Sequence, residues 1–313
     1  MTEPLRIALI GAGVMGRQHC QHLEDLAEAR LCAVADPGPQ AAAFAAECGV
    51  PVLLEKPVGV QLDEVRELVA ASAHAGVPVL VGHHRRHNPL IARARELIRS
   101  GSLGRLTTVT ALWQLQKPDS YFDIPWRREP GAGMLLTNLI HDLDLLRHLC
   151  GEVSEVQAIT SNGVRGFANE DSAVVLLRFA NGALGTLTGS DAVAAPWSWE
   201  LDSGENPVYP RQADQPCYLL AGTRGALSIP QLRRWHYAEP GAGWHQPLLQ
   251  SLESFQPGEA LRLQLQHFVK VARGEVAPLV DAVDAGNTLA LIEAIREAAE
   301  TGRACSPPVI SAP

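Results

Sequence analysis

The 313-residue sequence contains no run of 18 or more apolar residues, so no membrane span is expected. Its N-terminus, MTEPLRIALIGAG, lacks a basic region followed by a long apolar core and a cleavage site. It enters a strand at once, and the expectation is a cytoplasmic protein. Cysteine is sparse and unpatterned: Cys20, Cys32, Cys48, Cys150, Cys217 and Cys305 form no CxxC pair. Reduced, mostly buried thiols are expected rather than a disulfide framework or a zinc site. An excess of basic charge is missing too, the formal net charge being -8. Arg85-Arg86 and Arg233-Arg234 are two-residue pairs that read as solvated surface, so no nucleic-acid footprint is expected. Hydrophobic residues at 46% and charged residues at 19% are ordinary for a soluble globular chain, and the length has room for two domains.

What is present divides into two textures. Up to residue 87, short apolar runs alternate with helical stretches. RIALIGAG, LCAVADP, PVLLEKP and PVLVGHH read as strands; GVMGRQHCQHLEDLAEA, the alanine-rich segment 39–49 and residues 63–75 read as helices, the last closed by Gly76. Such alternation predicts a parallel sheet with right-handed crossovers, an α/β domain. After Pro89 one helix leads into long alternating strands, LGRLTTVTALWQLQ, VSEVQAITSN, DSAVVLLRFA and ALGTLTGSDA. Asn181-Gly182 marks a hairpin, and the segment Gly222 to Gly225 marks a second turn. A helix over 135–149 interrupts the strands, and helices near 259–273 and 281–302 close the chain. Strand runs with segregated helices predict an α+β domain with a large, mostly antiparallel sheet. Residues 192–215, rich in Pro, Trp and Gly, read as a long loop.

Gly11-Ala12-Gly13-Val14-Met15-Gly16 is a G-x-G-x-x-G that follows a strand and opens a helix, and Asp36 ends the next strand. Gly11 permits the tight turn, Gly13 lets a pyrophosphate approach the backbone, and Gly16 allows close helix–strand packing. Free N–H groups at the helix start face the anion. Asp36 suits the hydroxyls of an adenosine ribose and repels a 2′-phosphate, so NAD is expected over NADP. Three histidines in HHRRHNP (83–89) invite a metal reading, but consecutive strand residues point to opposite faces and no carboxylate cluster accompanies them, so no metal is expected.

The fingerprint, Asp36, Glu55-Lys56-Pro57, VGHHRRHNP and GAGMLLTNLIHDLD, in this order, resemble the Gfo/Idh/MocA oxidoreductase family over nearly the whole chain. The resemblance implies a dinucleotide-binding Rossmann-like domain over 1–87. It implies a substrate-binding and oligomerisation α+β domain over 88–313. It further implies hydride transfer to or from a secondary alcohol of a sugar, cyclitol or related polyol, and a homo-oligomer formed through the C-terminal sheet. Lys56 takes the place of the catalytic lysine, which stabilises developing alkoxide charge. Glu55 and Lys56 adjoin the cofactor, and Pro57 restricts Lys56 to extended backbone. His141 matches the general acid/base histidine. Asp144 is placed to hold its other ring nitrogen. Thr137 stands four residues earlier, where many members carry aspartate; Thr137 or Asn138 would bond substrate instead. Arg86 and Asn88 fall near the active-site rim, Trp126-Arg127 matches a position that often contacts substrate, and Trp197, Trp199 and Trp244 are stacking candidates for a sugar-like ligand or core and loop anchors.

Gly49-Val50-Pro51 runs directly into VLLEKP, where a Rossmann domain of this family needs two more βα units, roughly 35–45 residues. The same tripeptide recurs at Gly76-Val77-Pro78, also before a strand. An internal deletion or a natural minimal domain accounts for it. The EKP strand then either slides beside the first strand or leaves a gap in the sheet. An active dehydrogenase therefore stands beside the alternatives of a non-catalytic sensing or scaffolding relative and an inactive deletion form.

Overall fold

The computed structural model describes residues 3–11, 13–35 and 50–313, apart from the side chains of Val34 and Ala35. Ala12, Asp36 and the helix expected over 39–49 lie outside the described residues. In chain order the main elements are β1 (Leu5–Ile10), α1 (Val14–Glu24), β2 (Ala29–Ala35), β3 (Val52–Leu54), α2 (Leu62–Ala75), β4 (Val79–Val81), α3 (Pro89–Arg99), β5 (Leu106–Gln114), α4 (Ile140–Cys150), β6 (Val153–Ser161), β7 (Ser172–Phe179), β8 (Leu184–Ser190), β9 (Tyr218–Gly222), β10 (Ala226–Ile229), β11 (Arg233–His236), β12 (Leu249–Leu252), α5 (Ala260–Ala272) and α6 (Ala282–Thr301). Two compact units result. One comprises Met1–Asn88, Gly258–Leu289 and Val309–Pro313; the other comprises Pro89–Pro257 and Ala290–Pro308. Among the described residues no helix is long and apolar enough to cross a membrane.

In the first unit β1 pairs in parallel with β2, Leu5 opposite Ala29, and β3 pairs in parallel with β4, Val52 opposite Val79. Among the described residues these are separate two-stranded sheets. Of the two outcomes expected for the EKP strand, the ladder shows the break: β3 hydrogen-bonds to β4 and not to β1. The two ladders nonetheless share apolar packing, since Leu5, Ile7, Leu31 and Leu53 lie against a core of Leu23, Leu26, Ala29, Leu265 and Val269. The last two come from α5, whose amphipathic face thereby belongs to the first unit although it is distant in sequence. α2 begins with a capping box, Glu64 accepting from the Gln61 N–H at 3.1 Å, and ends at Gly76 with φ 65°. Both signals are local, which is why the boundary of this helix is legible in the sequence.

The second unit is built on an eight-stranded sheet in the order β12-β11-β10-β9-β5-β8-β7-β6. Every neighbouring pair is antiparallel except β5 and β8. Along β7, Ala173, Val175, Leu177 and Phe179 are buried while Val174, Leu176 and Arg178 are exposed, the period of two expected when one sheet face is covered. The buried face packs on α3 through Leu90, Ile91 and Leu97, on α4 through Leu143 and Leu146, and on α6 through Leu291, Ile292 and Ile295. The β7–β8 hairpin turns at Asn181-Gly182, with Gly182 at φ 87° and the Asn181 Oδ1 accepting from the Ala183 N–H at 3.0 Å. The segment expected as one helix over 135–149 is a π-helical turn, Leu135–Leu139, followed by α4. At its start the Thr137 hydroxyl donates to the Gly133 carbonyl at 3.0 Å, and the Glu170 carboxylate accepts from the Leu135 N–H at 2.9 Å. Side-chain groups therefore compete for the helical acceptors and donors there. The π-turn carries an extra residue per turn before His141, where a single continuous α-helix is expected. The long loop 192–215 carries a single helical turn, Trp199–Asp202.

Candidate active site

At the end of β1 the three fingerprint glycines are distinguished by what surrounds them. Gly11 has φ 94°, a conformation that favours glycine. A Cβ on Gly16 would stand 2.0 Å from the Gly11 carbonyl oxygen, so helix and turn can meet only where no side chain intervenes. Among the described residues, a Cβ on Gly13 would meet nothing within 4 Å. Neighbouring atoms of those residues therefore do not demand glycine at 13, and the backbone there is open to approach. Gly13 is the N-cap of α1 and has no side-chain cap. The open backbone, the uncapped helix start and the close Gly11–Gly16 contact fit the pyrophosphate of a dinucleotide. Val14 is exposed and Met15 half-buried beside it. Ala12 and Asp36, which complete the expected set, lie outside the described residues.

Glu55 and Lys56 follow β3, both half-buried, and the Lys56–Pro57 peptide is cis. Glu55 does not face outward. Its Oε1 lies 2.7 Å from Nε2 of His19, a buried residue of α1. A Cβ on Gly82 would stand 2.9 Å from the same oxygen, so glycine at 82 leaves the room that the carboxylate occupies. Burial opposes the charge on Glu55, but the His19 hydrogen bond and the nearby charges of His19, His84 and Lys56 outweigh it and hold the carboxyl below its usual range. The sequence pattern does not reveal His19, because its partner is 36 residues away.

The HHRRHNP segment is not strand past Gly82. His84–His87 form a 3-10 turn. The expectation that Arg85-Arg86 is solvated surface is overturned as well: both are buried. Arg86 forms a forked pair with Asp284 at the start of α6, Nη1 to Oδ2 at 2.5 Å and Nη2 to Oδ1 at 3.2 Å. This pair ties the turn to a helix almost two hundred residues on. Asn88 is buried, and its N–H closes the turn on the Arg85 carbonyl at 3.1 Å. Arg233 and Arg234 are half-buried, with Arg234 donating to Glu253 at 3.0 Å.

In the second unit His141 opens α4 and is buried, and Asp144 behind it is buried more fully. Asp142, also fully buried, accepts a very short hydrogen bond from the Tyr218 hydroxyl on β9, which pins the first turn of α4 to the sheet. The preceding π-turn carries Thr137 and Asn138, joined by a 2.9 Å hydrogen bond from the Thr137 hydroxyl to Asn138 Oδ1. Trp126 is exposed and Arg127 half-buried. The Arg127 guanidinium lies 4.0 Å from the Tyr121 ring and 5.5 Å from the Trp126 ring, and donates to the Tyr121 carbonyl at 2.7 Å. Asn169 holds this loop by donating to the Arg127 carbonyl at 2.9 Å, one residue from the Glu170 that caps the π-turn.

Lys117 is a second buried charged residue that no motif marks. Its ammonium is buried 3.4 Å from Asp191 and 4.6 Å from the centre of the Tyr121 ring. Burial pushes its pKa down against the pull of Asp191. The tryptophans divide: Trp199 is buried and bonded to Glu205, while Trp197 and Trp244 are exposed. The thiols expected to be mostly buried are so at Cys150 and Cys217; Cys32 is exposed and Cys20 and Cys305 are half-buried.

Residues 91–228 match the GFO/IDH/MocA C-terminal domain, and similarity to oxidoreductases extends on both sides of it. The second unit thus carries the C-terminal domain of the Gfo/Idh/MocA oxidoreductases. It is 28% identical over 276 residues to D-apiose dehydrogenase of Paraburkholderia graminis, covering 83% of this chain and 67% of that protein. It is 26% identical over 251 residues to the scyllo-inositol 2-dehydrogenase (NAD(+)) of Bacillus subtilis, covering 77% and 66%. Against the myo-inositol 2-dehydrogenase of Thermotoga maritima the match spans only 42% of the relative. Among solved structures, an oxidoreductase from Agrobacterium radiobacter in complex with NAD+, L-tartaric acid and magnesium shares the fold with TM-score 0.78, at 20% identity over 97% of this chain and 98% of that one. A levoglucosan dehydrogenase in complex with NADH shares it with TM-score 0.76, at 19% identity over 98% and 100%.

Proposed function

We propose that this chain is a nicotinamide-dinucleotide-dependent dehydrogenase acting on a secondary alcohol of a sugar, cyclitol or related polyol, with NAD preferred to NADP. The observation that carries the reading is the fingerprint turn, where Gly16 is dictated by contact while Gly13, among the described residues, is open to approach. The names of the relatives, D-apiose, scyllo-inositol and levoglucosan dehydrogenases among them, support the substrate class. A bound dinucleotide would lie on Gly11, Gly13 and Gly16 and supply the hydride acceptor or donor. In this reading Lys56 donates a hydrogen bond to the reacting oxygen and stabilises its negative charge. His141 takes the hydroxyl proton in oxidation and returns it in reduction. Thr137, Asn138, Trp126 and Arg127 orient the polyol. Arg86 and Asn88 serve by holding the turn after β4.

A second copy of the chain covers the outer face of the large sheet. On that face Leu176 stands opposite Thr186, Thr186 opposite Thr110, and Thr110 opposite Leu219, with Val174, Ile159 and Leu184 exposed nearby. Leu176→Asp is expected to convert the oligomer to monomer by light scattering.

One observation favours the alternative of an inactive or non-catalytic form: β1–β2 and β3–β4 are separate ladders among the described residues. An unpaired edge beside β1 leaves backbone groups without ladder partners where a dinucleotide is to bind. Titration with NADH, followed by fluorescence, separates the readings. Binding below millimolar concentration together with turnover on a polyol panel that Lys56→Ala abolishes supports the dehydrogenase. Absence of binding, regained on inserting two βα units at Val50, establishes the deletion form.

A further inference from the structure

We infer that His19 and Glu55 are positioning residues for Lys56, and that Glu55 directs its carboxylate to the fingerprint helix rather than to a dinucleotide. The inference rests on the reading of Lys56 given above. Its basis is a polar link between the two halves of the first unit. His19 sits on α1, three residues after Gly16, and is buried; its Nε2 meets Glu55 Oε1 at 2.7 Å. The carboxylate fills the space left by Gly82, whose N–H is bonded to the Leu54 carbonyl at 2.7 Å. Glu55 is thus fixed from three sides: by α1, by the end of β4 and by its own strand. Because β1 and β3 share no ladder among the described residues, backbone pairing does not align the end of β3 with α1. The His19–Glu55 bond supplies that alignment, and the adjacent peptide carries Lys56.

The charges facing Glu55 are His19 from α1, His84 from the turn after β4, and Lys56 beside it. Together they favour a carboxylate at neutral pH. A carboxylate next to an ammonium favours the ammonium in turn. Protonated lysine is the form that can donate to a reacting oxygen, and the pair holds the peptide that carries Lys56 beside a carboxylate.

The chain has only three lysines, Lys56, Lys117 and Lys270, so selectively 13C/15N-labelled lysine gives three resolvable titrations. Lys56→Gln assigns the first. In Glu55→Gln the Lys56 signal is expected to titrate about one pH unit lower than in the unmodified chain, with Lys270 unmoved. His19→Leu is expected to reproduce part of that shift. His19→Gln, which keeps a donor at the same place, is expected to restore it. Where the chain turns over a polyol, the alkaline limb of kcat/KM moves by the same amount. A Lys56 titration unchanged in Glu55→Gln overturns the inference, even if the thermal midpoint falls. So does His19→Gln behaving as His19→Leu. A chain with no turnover removes the dehydrogenase reading alone, because the lysine titration is read without substrate.

Discussion

Alanine at position 16 tests the fingerprint as packing, and alanine at position 13 tests it as a binding surface. A Cβ on residue 16 would lie 2.0 Å from the Gly11 oxygen and 3.1 Å from its carbonyl carbon. Carbon–oxygen contacts of this kind settle at about 3.3 Å, so helix and turn must separate by roughly 1 Å. The obstructing atoms are backbone and cannot rotate aside. Gly11 is continuous with β1, and β1 is held on β2 along its whole length. Overpacking of this sort costs about 1–3 kcal/mol, and a rigid neighbour places Gly16→Ala at the upper end. The thermal midpoint of the first unit should fall by roughly 6–12 °C. Gly13→Ala is the control. Gly13 has φ -68°, open to any residue, and its new methyl meets no atom of the described residues within 4 Å. Its stability cost stays below about 1 kcal/mol, the ordinary penalty of alanine at an N-cap. NADH affinity, followed by fluorescence titration, should fall at least about tenfold, or 1.4 kcal/mol. An unchanged midpoint for Gly16→Ala refutes the packing argument. Wild-type NADH affinity in Gly13→Ala refutes the assignment of that backbone to the pyrophosphate.

Asp284→Ala removes the forked carboxylate from the buried Arg86 guanidinium and should cost about 3–5 kcal/mol in chemical denaturation, since breaking a buried ion pair on one side is strongly destabilising. Tyr218→Phe removes the donor to the fully buried Asp142 and should cost about 1–3 kcal/mol, seen in the same assay as a lower midpoint at constant slope. Burial raises the pKa of Asp202 to about 8 from 3.8, and Ser198 N-caps the turn that carries it. A carboxyl whose folded pKa lies above its unfolded value contributes stability that is fully present below about pH 3.8 and lost as pH rises through about 8. Asp202→Asn should therefore flatten the fall in thermal midpoint between about pH 4 and pH 8; an unaltered slope would show that Asp202 does not titrate there.

Features set by short-range chemistry are legible in the residues themselves. Glycine and asparagine punctuation places the turns at Gly76 and at Asn181-Gly182, and both glycines have positive φ. Alternation of period two marks which face of β7 is buried, because a strand's side chains alternate whatever it pairs with. The order of fingerprint, EKP and histidine helix is enough to point to the family, since each motif is a short stretch of chain. The short linkage at Val50-Pro51 implies a disturbed pairing between β1 and β3, and the ladders show a break among the described residues.

Partnerships between distant residues are not legible in this way. Nothing in a linear pattern announces that β5 lies in parallel beside β8, that α5 returns to pack on α1, or that Arg86 closes on Asp284. The charged pair at 85 and 86 reads as surface because burial of a cation depends on a carboxylate that only the folded chain delivers. The π-turn before His141 is hidden for the same reason, since its Glu170 cap arrives from a residue far along the chain. Periodicity and turn chemistry act over a few residues and are written in the order of the chain. Burial and pairing are decided by which surfaces meet when that order is folded back on itself.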